Sequence, residues 1–89
     1  VIDSWKILSD QVGNLSINVL KSNYLTYPTF TSIIGAGASH PQITYDDKAF
    51  SDNLTGWDTA IVAGDILRFD VDYVNGISRF LFALKLKLW

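Results

Sequence analysis

Apolar and polar residues alternate with a period of two through most of the chain, and that alternation predicts strands. In Leu15-Ser16-Ile17-Asn18-Val19, leucine, isoleucine and valine fall on one side while serine and asparagine fall on the other. Leu67, Phe69, Val71 and Tyr73 share a face in the run Asp65–Tyr73, against Ile66, Arg68, Asp70 and Asp72. The last run places Phe80, Phe82, Leu84, Leu86 and Leu88 in one row, with Leu81, Ala83, Lys85, Lys87 and Trp89 opposite. Between the last two runs, Val74-Asn75-Gly76 reads as a tight hairpin, because Asn-Gly suits the positive φ of a type I′ turn. Asp10–Asn14 reads as another turn, between strands at Trp5–Leu8 and Leu15–Leu20. Pro28 interrupts the ladder in Thr26–Phe30. Gly35–Pro41 is a flexible loop leading to a short strand, Gln42–Asp46. No stretch of useful length carries a helical apolar period. The expectation is an all-β fold, an antiparallel barrel or two-sheet sandwich of six to eight strands.

Composition sharpens this picture. Eighty-nine residues suit one small domain, and 48% apolar content is far too high for disorder. All nine acidic residues are Asp, which favours turns and caps over helix interiors. Without cysteine, neither a disulfide framework nor a thiolate metal site can staple the fold. Small unstapled domains often gain stability by assembling with copies of themselves. Leu81, Ala83 and Trp89 in the outer row, with Ile66 and Leu20, fit such an interface; a covering loop is the competing explanation. A net charge of −2 without a basic run argues against nucleic acid, and no apolar run approaches the roughly 20 residues that span a bilayer. The chain reads as a piece of a longer protein. Sequons at Asn14 and Asn53 matter only in a glycosylating host, and chance matches explain them.

Catalysis has little to build on. His40 is the single histidine and sits in the glycine-rich loop, so no zinc or iron site of ordinary type and no nucleophile elbow is expected. Asp46 and Asp47 are adjacent on a strand and so point to opposite faces. We expect no catalytic residues, no metal and no cofactor. Saccharide binding is better supplied: an aromatic face meets the C–H side of a sugar, while carboxylates and arginine bond its hydroxyls or phosphates. Trp57, Asp47, Arg68 and His40 offer those groups. Each also has a plain structural reading. Trp57 could fill a corner beside Gly56, Arg68 could pair with Asp70 or Asp58, and His40 could be a loop residue before Pro41. Asp65 reads as a turn residue.

The segments Ile17–Phe30, His40–Trp57, Ala63–Asp72 and Ser78–Leu88 together resemble the head domain of receptor-binding proteins from lactococcal siphophages, within the wider set of phage tail-fibre and baseplate tips. The resemblance runs from about residue 13 to 88. It implies residues 1–12 as the end of a neck and first strand, and 13–89 as a receptor-binding head. It further implies a homotrimer of β-barrels at the virion tail tip, joined to the rest of the baseplate through the N-terminal side. Such a head binds host cell-wall saccharide or phosphate-containing polysaccharide, without catalysis or membrane insertion, in pockets between subunits. Carried over, Trp57 and Asp47 match the family's tryptophan and aspartate, and Arg68 its arginine. Tyr45 stands where the family has histidine, with His40 a few residues earlier. The alternative is a structural trimerisation tip with no ligand site of its own.

Overall fold

The computed structural model describes residues 1–87, so the expected positions of Leu88 and Trp89 lie outside the described residues. Five strands form one antiparallel sheet: β1 (Ile2–Ser22), β2 (Thr31–Ser32), β3 (Gln42–Ser51), β4 (Ile66–Asn75) and β5 (Phe80–Leu86). The all-β expectation is met, with fewer and longer strands than expected. Among the described residues no closure of the sheet into the expected barrel is found.

β1 is the centre of everything, since each of the other four strands pairs with it. On one edge lie β3 (Trp5↔Ser51 to Ser16↔Gln42) and β2 (Leu20↔Ser32). On the other lie β5 (Ile2↔Leu86 to Ser9↔Phe80) and β4 (Asn14↔Asn75 to Ser22↔Ile66). A straight strand of 21 residues would reach about 70 Å, yet the longest dimension of the molecule is 39 Å. The strand therefore bends sharply, and its two halves face each other. Trp5 and Ile7 share a core cluster with Leu15, Ile17 and Ile43. Ile2 likewise joins Val19, Ile33 and Ile34.

Two expected turns are corrected here. Asp10–Asn14 does not end one strand and start another; it is the bend within β1. Four residues, Ser9 to Val12, bulge opposite Asp47 alone before pairing resumes at Gly13↔Asp46. Val74-Asn75-Gly76 is likewise no hairpin, because β4 and β5 both run antiparallel to β1 and do not pair with each other. They follow one another end to end, with a break at Gly76–Arg79 that faces the bend. Gly76 keeps the positive φ (81°) that its sequence promised, but uses it to offset the chain rather than reverse it.

Bulges also reset which residues face inward. One extra residue, Asp3, lies between the Ile2↔Leu86 and Ser4↔Lys85 pairs, so Ile2 and Trp5, three apart, are both buried. Asp72 does the same in β4: Val71 pairs with buried Ile17, whereas Tyr73 pairs with Ser16 on the opposite face. The expected four-residue row Leu67 to Tyr73 is thus broken after Val71. On the outer face of the N-terminal half, Leu81 stands opposite Leu8, and Phe50 and Ala83 flank Lys6. Leu8, Phe50, Leu81 and Ala83 are exposed, as is Ile66, whereas Leu20 is half-buried.

Candidate functional site

Trp57 lies in a strap that closes over the core. Asn53 begins it, its Oδ1 accepting from the Thr55 amide (3.3 Å) and hydroxyl (2.7 Å). The Trp57 amide then donates back to the Leu54 carbonyl at 3.0 Å, and Gly56 takes φ +87°. The strap runs antiparallel to Ile33–Gly35: the Gly35 amide donates to the Gly56 carbonyl (2.9 Å) and the Asp58 amide to the Ile33 carbonyl (2.7 Å). Both glycines are required, since a Cβ on Gly35 would sit 2.6 Å from the Gly56 oxygen and one on Gly56 2.8 Å from the Ala38 Cβ. The half-buried indole packs against both core clusters and donates from Nε1 to the Ser39 carbonyl at 2.9 Å. Trp57 is therefore a packing residue, held in one orientation, that keeps part of its surface open.

The bond to Ser39 places the indole beside the chain entering His40. The His40 ring is half-buried, with Nδ1 3.1 Å from the Ile17 carbonyl and 3.6 Å from Asp72 Oδ2. A carbonyl can only accept, which assigns the proton to Nδ1 and leaves Nε2 as the ring's other polar atom. Asp72 is the bulged residue of β4, so a register irregularity supplies the imidazole's carboxylate.

The remaining sequence-chosen residues lie elsewhere. Tyr45 is the extra residue of a bulge in β3, with φ +48° and 80% exposure, its amide donating to Asn14 Oδ1 at 3.1 Å. Asp47 is exposed opposite the bend; its carbonyl accepts from Ser9 Oγ at 3.2 Å. Arg68 lies near the other end of the sheet. Its guanidinium makes a two-pronged contact with Asp70 (Nε–Oδ1 and Nη2–Oδ2, both 3.0 Å) and sits 4.7 Å over the Phe30 ring. Asp46 pairs with Gly13 and Arg68 with Leu20, on opposite edges of β1, so about 23 Å of strand separates Asp47 from Arg68. The Trp57 indole thus reaches the backbone one residue before His40, Tyr45 and Asp47 lie together near the bend, and Arg68 stands apart with Asp70, the partner foreseen in its structural reading.

A cleft of about 240 Å³, lined largely by residues with polar side chains and not legible in the sequence, lies at the Arg68 end between the end of β1, β2 and the segment after Trp57. Lys21 lines it, with Nζ 3.3 Å from Asp58 Oδ2 and 2.9 Å from the Ala60 carbonyl. Asp65 accepts from the Val62 amide at 2.9 Å, which fits its expected turn role, and also lines the cleft. Only the Trp57-Asp58 adjacency could have hinted at this site. Among the described residues no group of three or more acidic or histidine side chains could hold a metal ion. No family model, curated protein or solved structure matches the chain.

Proposed function

We propose that the chain is a non-enzymatic adhesion domain, the saccharide-binding head of a phage receptor-binding protein, assembled as a homotrimer at the virion tail tip. Its N-terminal side joins the rest of the baseplate, and its ligand is host cell-wall saccharide or phosphopolysaccharide. The observation that carries the reading is the fixed, part-open indole of Trp57, bonded to the carbonyl of Ser39, the residue that leads into His40 and its Asp72 partner. A rigid aromatic face with a neighbouring imidazole and carboxylate suits a sugar ring, and orientation fixed in advance spares the entropy of ordering it on binding. The trimer reading draws on the uncovered apolar pair Leu8–Leu81 with Phe50 and Ala83, which a neighbouring copy would bury.

The test is binding to purified host-wall polysaccharide, measured for the wild type and for His40→Ala and Trp57→Phe. Trp57→Ala is a poor probe: truncating a tryptophan packed on two core clusters costs about 3 kcal/mol or more. His40→Ala, outside those clusters, should lower affinity about tenfold while the melting temperature stays within a few degrees. Unchanged affinity in both variants overturns the site. The second reading, a structural trimerisation tip, draws on Trp57 tying the two clusters together; an oligomer that binds no wall polysaccharide supports it.

A further inference from the structure

We infer that the Lys21–Asp58–Asp65 cleft is a second saccharide subsite, selective for an uncharged sugar ring. The proposal rests on the adhesion reading for its ligand class and adds a location and a charge preference that reading lacks.

Size comes first. At about 240 Å³ the cleft falls below the roughly 300 Å³ at which pockets for drug-sized ligands begin, and it suits one ring or a short polyol. Chemistry comes next. Lys21 Nζ has three donors and spends two, on Asp58 Oδ2 and the Ala60 carbonyl, so one remains to meet a ligand oxygen. Asp65 uses Oδ2 on the Val62 amide and keeps Oδ1. Thr29 and Thr31 line the same space, and their hydroxyls bond to no protein group among the described residues. Donors and acceptors thus face one volume in the mixed pattern that sugar hydroxyls, each both donor and acceptor, can satisfy.

Charge then decides between ligands. One ammonium faces two carboxylates, and the ammonium is already paired with Asp58, so the cleft as a whole is negative. A phosphate would be repelled there, whereas a neutral ring is not. The rim is also pre-set. Asn23 Oδ1 accepts from the Thr26 amide at 2.9 Å, its carbonyl accepts from the Tyr27 amide at 2.9 Å, and the Thr26 carbonyl accepts from the Thr29 amide at 2.9 Å. Beyond Asn23 and Asp65, a shallower depression carries Tyr24, 89% exposed on this pinned loop. A nearly bare tyrosine next to a polyol-sized cleft offers a stacking face to the next ring of a chain.

The experiment titrates the ¹⁵N-labelled full chain with methyl glucoside, methyl galactoside and N-acetylglucosamine, and separately with glycerol 1-phosphate and calcium chloride. Expected are amide shifts at Asn23, Thr31 and Asp65 with at least one neutral sugar and none with glycerol 1-phosphate. Asp65→Asn keeps the turn acceptor and Thr31→Val keeps the strand; each should weaken that sugar about tenfold. Unchanged affinity in both variants, stronger binding of glycerol 1-phosphate, or the same shifts from calcium alone would overturn the proposal. Sugar-dependent shifts confined to Trp57 and His40 would overturn this subsite and leave the adhesion reading standing. No shifts with any sugar would count against both.

Discussion

Gly13→Ala tests the central claim about the fold, that β1 bends where the β4–β5 break closes over it. Gly13 is buried, and a Cβ built on it would stand 2.5 Å from the Asn75 carbonyl oxygen and 2.8 Å from Ile77 Cγ1. Non-bonded carbon contacts are comfortable at about 3.5–4.0 Å, so close to an ångström of overlap must be relieved by moving backbone. Overpacking of this kind costs about 1–3 kcal/mol, offset by about 0.4–1 kcal/mol from the reduced freedom of alanine in the unfolded chain. The net loss is about 1–2 kcal/mol. At about 4–8 °C per kcal/mol for a domain this small, the melting temperature should fall by roughly 5–15 °C. Circular dichroism melts and urea titrations at one fixed protein concentration would measure it, since the proposed self-association would make melting concentration-dependent. Ile77→Ala in the same chain should not restore stability, because the tighter contact is with a backbone oxygen. A Gly13→Ala protein as stable as the wild type would refute the bend as described.

Two further outcomes are expected. Asp10 Oδ1 accepts from the Ser78 and Arg79 amides (3.4 and 3.2 Å) across the same junction, so Asp10→Ala should cost about 1 kcal/mol and speed hydrogen exchange at Arg79; unchanged exchange there would contradict the clasp. If Asp47 of one copy and Arg68 of the next share a ligand at a trimer seam, Asp47→Ala and Arg68→Ala each abolish binding, yet co-refolding them in equal amounts restores about a quarter of the seams; no recovery would show that the two residues do not complete one site.

Period-two patterning was a sound guide to strands because it records a local fact, which side chains leave which face of an extended chain. Turn chemistry misled because it is local too. Asn75-Gly76 supports a positive φ whether the chain reverses or merely steps aside, and only the shared pairing of β4 and β5 with β1 tells the two apart. Asp10–Asn14 carried the same ambiguity. The bulges at Asp3, Tyr45 and Asp72 left no mark in the pattern, since each is fixed by the register of a partner strand far along the chain. The Asp72 bulge alone moved Tyr73 off its expected face and gave His40 a carboxylate.

Which side chains converge at a cleft was not legible in the sequence. Lys21, Thr31 and Asp65 are ordinary surface residues in sequence; the β1–β2 pairing sets Lys21 opposite Thr31, and the strap from Leu54 to Asp58, lying against Ile33–Gly35, brings Asp58 to the same cleft. That strap is the one that seats Trp57. Under the proposed adhesion reading, core packing and ligand binding are linked rather than rival roles for this tryptophan: fixing the indole on both clusters also fixes Asp58, the next residue in the chain, beside Lys21. A Trp57 variant that loses saccharide could do so through a lost stacking face or a slackened cleft. The variants that separate these causes are His40→Ala, which leaves the strap's hydrogen bonds intact, and Asp65→Asn, which leaves the indole untouched. Selective loss in the first assigns recognition to the indole and imidazole, and selective loss in the second assigns it to the cleft.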